Sequence, residues 1–248
     1  MDIIYTIWLR NMKRFVRSKS RIIGSVSMPL FLLIFLGFGL NAVVKLPGGG
    51  NYVAFLMPGM IAMSVLFTSV FSGIQIIWDK QFGFLKETLV APVSRLEIML
   101  GQTFGGATTA FIQGCIILTL SLFIGLVIDN PARFLIAFLF MALIGISFTA
   151  FGIAIASRMD DMTGFQLIMN FVIFPVFALS GAFFPISSLP PWMAAVTMLD
   201  PLTYGLEGIR YGLTGTSQIN PGICLAVLGA FTIAMTLAGA YLFRKIKL

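Results

Sequence analysis

Six uncharged apolar stretches constrain this chain most, because each is long enough to cross a lipid bilayer as a helix. They cover residues 22–44, 52–77, 100–128, 134–157, 164–184 and 222–243. Backbone groups in lipid have no water to bond, so such segments must be helical unless they close into a barrel. The sequence therefore predicts an all-α integral membrane protein in which residues 1–248 form a single domain with six transmembrane helices.

Composition removes several classes of function. The chain is 58% hydrophobic and 10% charged, whereas an ordinary soluble domain carries about 25% charged residues. It has no histidine, the commonest general base and metal ligand. The apolar stretches contain no Asp, Glu, Lys or Arg, and the sequence lacks GxxxxGK[ST], HExxH and GxSxG. We therefore expect no catalytic or metal site and no bound cofactor. If nucleotide drives this protein, another chain binds it.

Residues 2–19 are too charged to cross a membrane and instead predict an amphipathic helix. At 100° per residue the cations share one face, and they are Arg10, Lys13, Arg14 and Arg17. The opposite face is apolar and comprises Ile4, Tyr5, Trp8, Met12, Phe15 and Val16. This segregation favours a helix at the membrane surface over a plain cationic leader.

The stretch from Trp78 to Gln102 is charged and lies between two spans, yet it carries exposed apolar residues. We predict a short helix from about Lys80 to Val90, closed by Ala91-Pro92. Either its apolar side chains bind a partner, or they fold back onto the protein's own membrane surface. Ser94 and Glu97 form a capping box, which predicts a new helix from Arg95 to Ile128.

Two further patterns predict local packing. Gly101 and Gly105 are spaced for close approach of a neighbouring helix. Residues 185–213 are too short and polar to cross a bilayer and too apolar for a free loop, so they predict re-entrant half-helices in the outer leaflet. Within them, Asp200 is the predicted N-cap, with Pro201 at the first helical position. Glu207 and Arg210 are spaced to pair.

The distribution of cations predicts the orientation. Six spans place both termini on one side, and that side receives thirteen of the sixteen Lys and Arg residues when residues 1–21, 78–102, 158–163 and 244–248 are assigned to it. By the positive-inside rule, this side is cytoplasmic. We expect a multi-pass protein of the cytoplasmic membrane, and nothing in the cation pattern requires nucleic acid as a partner.

Two long motifs resemble those of type-2 ABC exporter permeases, particularly the daunorubicin-resistance-like branch. The first is DKQFGFLKETLVAPVSR at residues 79–95. The second is NFVIFPVFALSGAFFPISSLPPWMAAVTMLDPLTYGLEGIR at residues 170–210, which matches a Pro-broken fifth span followed by a re-entrant segment that includes Tyr204. The resemblance covers the whole chain in order, including the amphipathic start.

The resemblance implies a permease that pairs with a second copy or a close homologue and docks two cytosolic ATPase subunits, which would hold ATP and magnesium. It also implies that residues 82–90 are a coupling helix against the ATPase and that residues 2–19 are a connecting helix beside it. The coupling interface would comprise Phe82, Gly83, Phe84, Leu85, Lys86, Glu87, Leu89, Pro92 and Arg95.

These inferences lead to one expected function and two alternatives. We expect an ATP-driven exporter of an amphiphilic drug, lipid or glycan-type solute. The alternatives are a carrier or channel that works without ATP, and a scaffold that recruits a cytosolic partner without transporting anything.

Overall fold

The structure, a computed structural model, describes residues 2–41, 51–85, 93–126 and 130–246. These residues form α-helices and two 3-10 turns, Pro131–Arg133 and Ile186–Ser188, and contain no strand. The helices are α1 (Asp2–Arg17), α2 (Lys19–Leu40), α3 (Tyr52–Ser72), α4 (Ile74–Gln81), α5 (Arg95–Ile124), α6 (Phe134–Ala156), α7 (Met162–Leu179), α8 (Pro191–Leu199), α9 (Pro201–Thr214) and α10 (Pro221–Arg244).

The six predicted spans are confirmed. Six helical segments are long and apolar enough to cross a membrane, namely α2, α3 together with α4, α5, α6, α7 and α10. Helices α3 and α4 form one such segment because only Gly73, itself in a right-handed helical conformation, separates them. The chain is thus an all-helical membrane domain in the part that the structure describes.

Several predicted boundaries are wrong by a few residues, for identifiable reasons. The second span continues past Ile77 to Gln81. Its helix can include the charged residue Asp79 because Arg10 pairs with that carboxylate inside the protein. Helix α5 ends at Ile124 instead of Ile128, where Gly125 adopts a positive φ of 118° and caps it. Helix α7 passes through Pro175 without a break and ends before Gly181, which has a φ of 79°.

Helix α3 lies at the centre of the bundle and packs against α2, α5, α6 and α9. Its approach to α6 depends on glycine at both sides of the contact. A Cβ on Gly152 would lie 2.4 Å from the carbonyl oxygen of Val70, and one on Gly73 would lie 2.5 Å from the Gly152 carbonyl carbon. The two backbones therefore touch directly, as membrane helices do where small residues meet.

Helix α1 packs along the first half of α5, as the glycine pair there predicts. A Cβ on Gly101 would lie 2.9 Å from Ile7 Cβ, and one on Gly105 would lie 2.9 Å from Asn11 Cβ. Ile7 and Phe15 are buried, but Tyr5 and Val16 are exposed. Part of the predicted apolar face therefore packs on the bundle and part is exposed, and the position of this helix at the membrane surface stays a prediction.

The segment predicted to be re-entrant forms two short helices of different character. Helix α9 is buried between α3, α6 and α10, with Leu202, Leu206 and Ile209 inaccessible to solvent. Helix α8 is largely exposed and presents Trp192 and Leu199 at its surface.

Candidate functional site at the basic end of the bundle

Four segments that are distant in sequence meet at one end of the bundle, which we call the basic end. Here α1, the end of α4 with the start of α5, the loop 157–161 between α6 and α7, and residues 244–246 lie together. Lys80 Nζ lies 3.0 Å from the Ser157 carbonyl oxygen and 3.1 Å from Asp160 Oδ1. Arg95 Nη1 donates to the carbonyl oxygens of Arg244 and Ile246. The four segments that the cation count assigned to one side thus lie on one side.

The basic end contains a buried carboxylate, that of Asp79, whose side chain is only 6% exposed. Arg10 Nη2 donates to its Oδ2 at 2.7 Å, and Gln102 Nε2 donates to the same oxygen at 3.3 Å. Gln75 Nε2 donates to Oδ1 at 3.1 Å, and Asn11 extends the network by donating to Gln102 Oε1 at 2.8 Å. The network joins α1, α4 and α5 and satisfies a charge that would otherwise be costly to bury.

Sequence reasoning missed Asp79 because it placed this residue in a water-exposed loop. A signal was present in the spacing, since Gln75 and Asp79 are four residues apart and therefore share one face of a helix. The link to Arg10 had no local signal, because 69 positions separate the two residues.

The chain turns directly after α4, at Phe82 and Gly83, and Gly83 has a φ of 77° that favours glycine. The predicted helix from Lys80 to Val90 therefore does not begin at Lys80, which belongs to the last turn of α4. The second part of that predicted helix, residues 86–90 with Lys86, Glu87 and Leu89, lies outside the described residues, as does Pro92 of the predicted interface.

The predicted apolar anchors have different environments. Phe82 is 80% exposed and Phe84 is 43% exposed, whereas Leu85 is buried in the protein's own core. The expectation of an exposed anchor is therefore wrong for Leu85, whose burial fixes the base of the turn. The Arg10 guanidinium carbon lies 4.6 Å from the centre of the Phe84 ring, within cation–π range. Arg10 thus contacts both the buried Asp79 and the half-exposed Phe84.

Arg95 begins α5 behind the predicted capping box, which is present in both directions between Ser94 and Glu97. Its guanidinium is directed towards the C-terminal carbonyl groups of α10, where a cation interacts favourably with the helix dipole. In the described part of the chain, Arg95 therefore joins the start of α5 to the end of the last span.

The other cations of α1 differ in exposure. Lys13 and Arg17 are exposed and line an open groove together with Ser18 and Ser20. Arg14 is half-buried, and its Nη1 atom is buried with no hydrogen-bond partner among the described residues. Burial, followed by the nearby charge of Arg10, lowers the pKa of Arg14.

A cavity of 620 Å³ opens beside this network, enclosed by α1, α2, α3, α4, α5 and α7. Near the basic end its wall is polar and includes Arg14, Arg21, Gln75 and Gln102. Further along the bundle its wall is apolar, with Met28, Pro29, Met63, Phe67 and Phe174. From Trp78 to Met63 the lining extends for about 22 Å along α3 and α4, at 1.5 Å per residue.

The opposite end of the bundle holds the second group of predicted site residues. Asp200 caps α9 by accepting from the Leu202 backbone N–H at 2.9 Å, and Pro201 follows at the first helical position. Tyr204 Oη donates to the Met198 carbonyl oxygen at 2.7 Å, which joins α9 to α8. The predictions of Asp200 as the N-cap and of Pro201 at the first helical position are confirmed.

The predicted pair of Glu207 and Arg210 is present and fully buried on α9. Arg210 Nη2 also donates to the Gly181 carbonyl oxygen at 3.1 Å, and its guanidinium lies 4.3 Å from the centre of the Phe55 ring. Glu207 accepts from the Gln218 backbone N–H. The pair therefore ties α9 to α3, to the end of α7 and to the loop before α10.

Comparison with known proteins agrees with this architecture. The profile of a family described as "ABC-2 type transporter" matches residues 3–214. The inner membrane transport permease YadH of Escherichia coli K12 is 27% identical over 94% of this chain and 91% of its own length. Nodulation protein J of Rhizobium meliloti is 27% identical over 96% of this chain and 92% of its own length. The ycf38 protein of Pyropia yezoensis is 30% identical over 90% of this chain and 80% of its own length.

Proposed function

The chain belongs to the ABC-2 type transporter family and is a membrane permease subunit, and from this premise we propose that it exports an amphiphilic solute by ATP-driven alternating access. In this proposal two copies form the transmembrane part, and each copy docks one cytosolic ATPase subunit. The ATPase subunits hold ATP and magnesium. The basic end is cytoplasmic, and the protein resides in the cytoplasmic membrane.

One observation carries the docking part of the proposal, namely the exposure of Phe82 and Phe84 next to the buried Leu85. Two aromatic side chains lie at the polar end of the bundle, while Leu85 beside them is buried. Burying an exposed Phe side chain in a partner's groove stabilises a complex by about 1.5–3 kcal/mol. Phe82 and Phe84 flank the turn at Gly83, and exposed apolar side chains of this kind serve as anchors for a segment that binds in a partner's groove.

The same geometry supports a route for the coupling motion. Helix α4 continues α3 with only Gly73 between them, so a displacement of the Phe82 turn acts directly on the central helix of the bundle. Met63 and Phe67 of α3 line the cavity. Arg10 connects the same turn to α1 through Asp79 and Phe84. A force applied at Phe82 and Phe84 would therefore reach both the cavity and the amphipathic helix.

The lining of the cavity favours the proposal that the solute is amphiphilic. Its polar wall lies at the basic end and its apolar wall lies deeper in the bundle. Pockets for small molecules combine a largely apolar lining with a few polar groups that fix orientation. Drugs, lipids and lipid-linked glycans share this division into a polar and an apolar part.

The test is co-purification of an ATPase with the double variant Phe82→Ala, Phe84→Ala from the native host. We expect the wild-type chain to retain a nucleotide-hydrolysing partner and the double variant to lose most of it. Phe184→Ala is the matched control, because Phe184 is an exposed phenylalanine at the opposite end of the bundle. Full retention of the ATPase by the double variant would refute docking at this turn.

Reconstitution separates the alternatives. Solute flux at full rate without any ATPase subunit would favour a carrier or channel that works without ATP. Docking of the ATPase without flux of any solute would favour a scaffold.

A further inference from the structure

The junction of α1 and α2 has a surplus of positive charge next to the cavity. Its six cations are Arg10, Lys13, Arg14, Arg17, Lys19 and Arg21. Among the acidic side chains that the structure describes, Asp79 is the one that forms an ion pair with a member of this group, Arg10, and Gln75 and Gln102 also bind it. The remaining cations therefore have no ion-pair partner within the described ranges.

Arg14 is the member of this group that faces inwards. It lines the open basic groove and also the cavity, so this residue lies where the two spaces meet. Its buried Nη1 atom has no acceptor in the part of the chain that the structure describes. Leaving a buried charged donor without an acceptor is costly, and a bound anion would remove that cost.

Arg21 supplies a second cation to the same wall of the cavity, from the first turn of α2. The neutral side chains of Asn11 and Gln75 lie on that wall as well. Two guanidinium groups with amide groups beside them form a surface suited to phosphate, because guanidinium matches the geometry of phosphate oxygens.

The apolar lining of the rest of the cavity fits an amphiphile better than a free inorganic anion. The wall beyond the two arginines includes the side chains of Met28, Phe67 and Phe174. These side chains have no hydrogen-bond donors that could replace the water around an anion. Apolar area buried there would stabilise a hydrocarbon chain instead. The headgroup and the chain of one molecule thus have separate, adjoining surfaces.

We propose that this cavity binds a phosphate-bearing anionic amphiphile, with its phosphate at Arg14 and Arg21 and its hydrocarbon part along α2, α3 and α7. The inference rests on the proposed function, in which this molecule is the transported solute. It narrows the solute class from amphiphiles in general to amphiphiles that carry a phosphate.

The test is a binding measurement on the full-length chain reconstituted in phosphatidylcholine nanodiscs, with no ATPase present. The probe is phosphatidic acid with brominated acyl chains, and the readout is quenching of Trp78, which lines the cavity. Trp8→Phe and Trp192→Phe remove the other two tryptophans. We expect brominated phosphatidic acid to quench Trp78 more strongly than brominated phosphatidylcholine at the same fraction.

The matched variants separate the site from general surface charge. Arg14→Gln with Arg21→Gln should weaken the phosphatidic acid effect about tenfold or more, since charge-assisted hydrogen bonds are lost. Arg17→Gln should leave it unchanged, because Arg17 lines only the open groove. Arg14→Lys, which keeps the charge but loses the planar guanidinium, should bind phosphatidic acid more tightly than the double variant and less tightly than the wild-type chain, and it guards against misfolding of the double variant.

Three outcomes would overturn the inference. Equal quenching by the two lipids would show that charge is not recognised, and an equal loss in Arg17→Gln would show attraction to the surface alone. Displacement of the brominated phosphatidic acid by an equal concentration of inorganic phosphate would show that the site binds the free anion. Because no ATPase takes part, these failures are distinct from a failure of docking, which is measured by co-purification.

Discussion

Arg10 of α1 and Asp79 of α4 form an ion pair of 2.7 Å that joins the amphipathic helix to the final turn of the central span. The carboxylate is almost fully buried, and the guanidinium continues past it to the Phe84 ring. A single arginine therefore connects the exposed aromatic turn to a buried charge. In the proposed mechanism this pair keeps α1 and the turn moving as one unit.

The first prediction concerns this pair. Asp79→Asn and Arg10→Gln should each reduce stability by about 1–3 kcal/mol, because each leaves a buried or partly buried group without its charged partner. The double variant should lose less than the sum of the two, which a double-mutant cycle of thermal unfolding in detergent measures. The control is Asp160→Asn, where the exposed partner of Lys80 is removed and little change is expected. Additive losses would show that the two residues act independently.

The second prediction concerns the contact of α3 with α6. Gly152→Ala should destabilise the protein by about 1–3 kcal/mol, because the added methyl group would meet the rigid backbone of Val70. Gly229→Ala is the matched control in α10, since a Cβ there has nothing within 4 Å. We expect the control to be neutral or slightly stabilising. Equal melting temperatures for both variants would contradict the close contact.

Local patterns predicted the fold well. The capping box of Ser94 and Glu97, the N-cap at Asp200 and the pair of Glu207 and Arg210 each depend on residues within three positions of one another. Spacing fixes such contacts once the helix exists. The six spans were predictable for a similar reason, since length and apolarity alone decide whether a helix can cross a bilayer.

The site depended on contacts that no local pattern reports. The sequence pattern places Asp79 in water, because a lone carboxylate in lipid is costly. Its partners from α1 and α5 are what allow it to be buried. The sequence pattern predicts Leu85 to be an exposed anchor, but after the turn at Gly83 this side chain is buried in the core. The orientation of Arg14 likewise follows from tertiary packing.

The third prediction concerns the buried pair on α9. Arg210→Met should destabilise the protein by about 3–5 kcal/mol, because it leaves Glu207 buried without its cation. The double variant Glu207→Gln, Arg210→Met should recover a large part of this loss, since no uncompensated charge remains. Thermal unfolding of the three proteins in the same detergent measures the effect. A double variant less stable than Arg210→Met would show that the hydrogen bonds to Gly181 and Gln218 outweigh the charges.

The fourth prediction concerns pH. Burial raises the pKa of Asp200 to about 7 from 3.8, against the opposing effect of its bond to the Leu202 N–H. The folded chain thus holds this proton more tightly than the unfolded chain does. The stability contributed by Asp200 is complete below the unfolded pKa and is lost as pH rises through the folded pKa.

Asp200→Asn tests this dependence, because asparagine keeps the capping oxygen and carries no charge. Between pH 5 and pH 8 the wild-type chain should lose at most about 3 kcal/mol relative to the variant, measured by parallel thermal unfolding. The difference in stability should therefore move in favour of the variant as pH rises from 5 to 8. Unfolding curves that shift in parallel across this range would contradict the raised pKa.

The fifth prediction concerns orientation. If the basic end is cytoplasmic, a cysteine at exposed Asp160 should resist an impermeant maleimide in intact cells, whereas one at exposed Ser187 should react. The background carries Cys115→Ser and Cys224→Ser, which remove the native thiols. Opened membranes are the control, in which both introduced cysteines should react. If only Asp160→Cys were labelled in intact cells, the topology would be the reverse of the predicted one. Phe82 and Phe84 would then lie on the side of the membrane that a cytosolic ATPase does not reach.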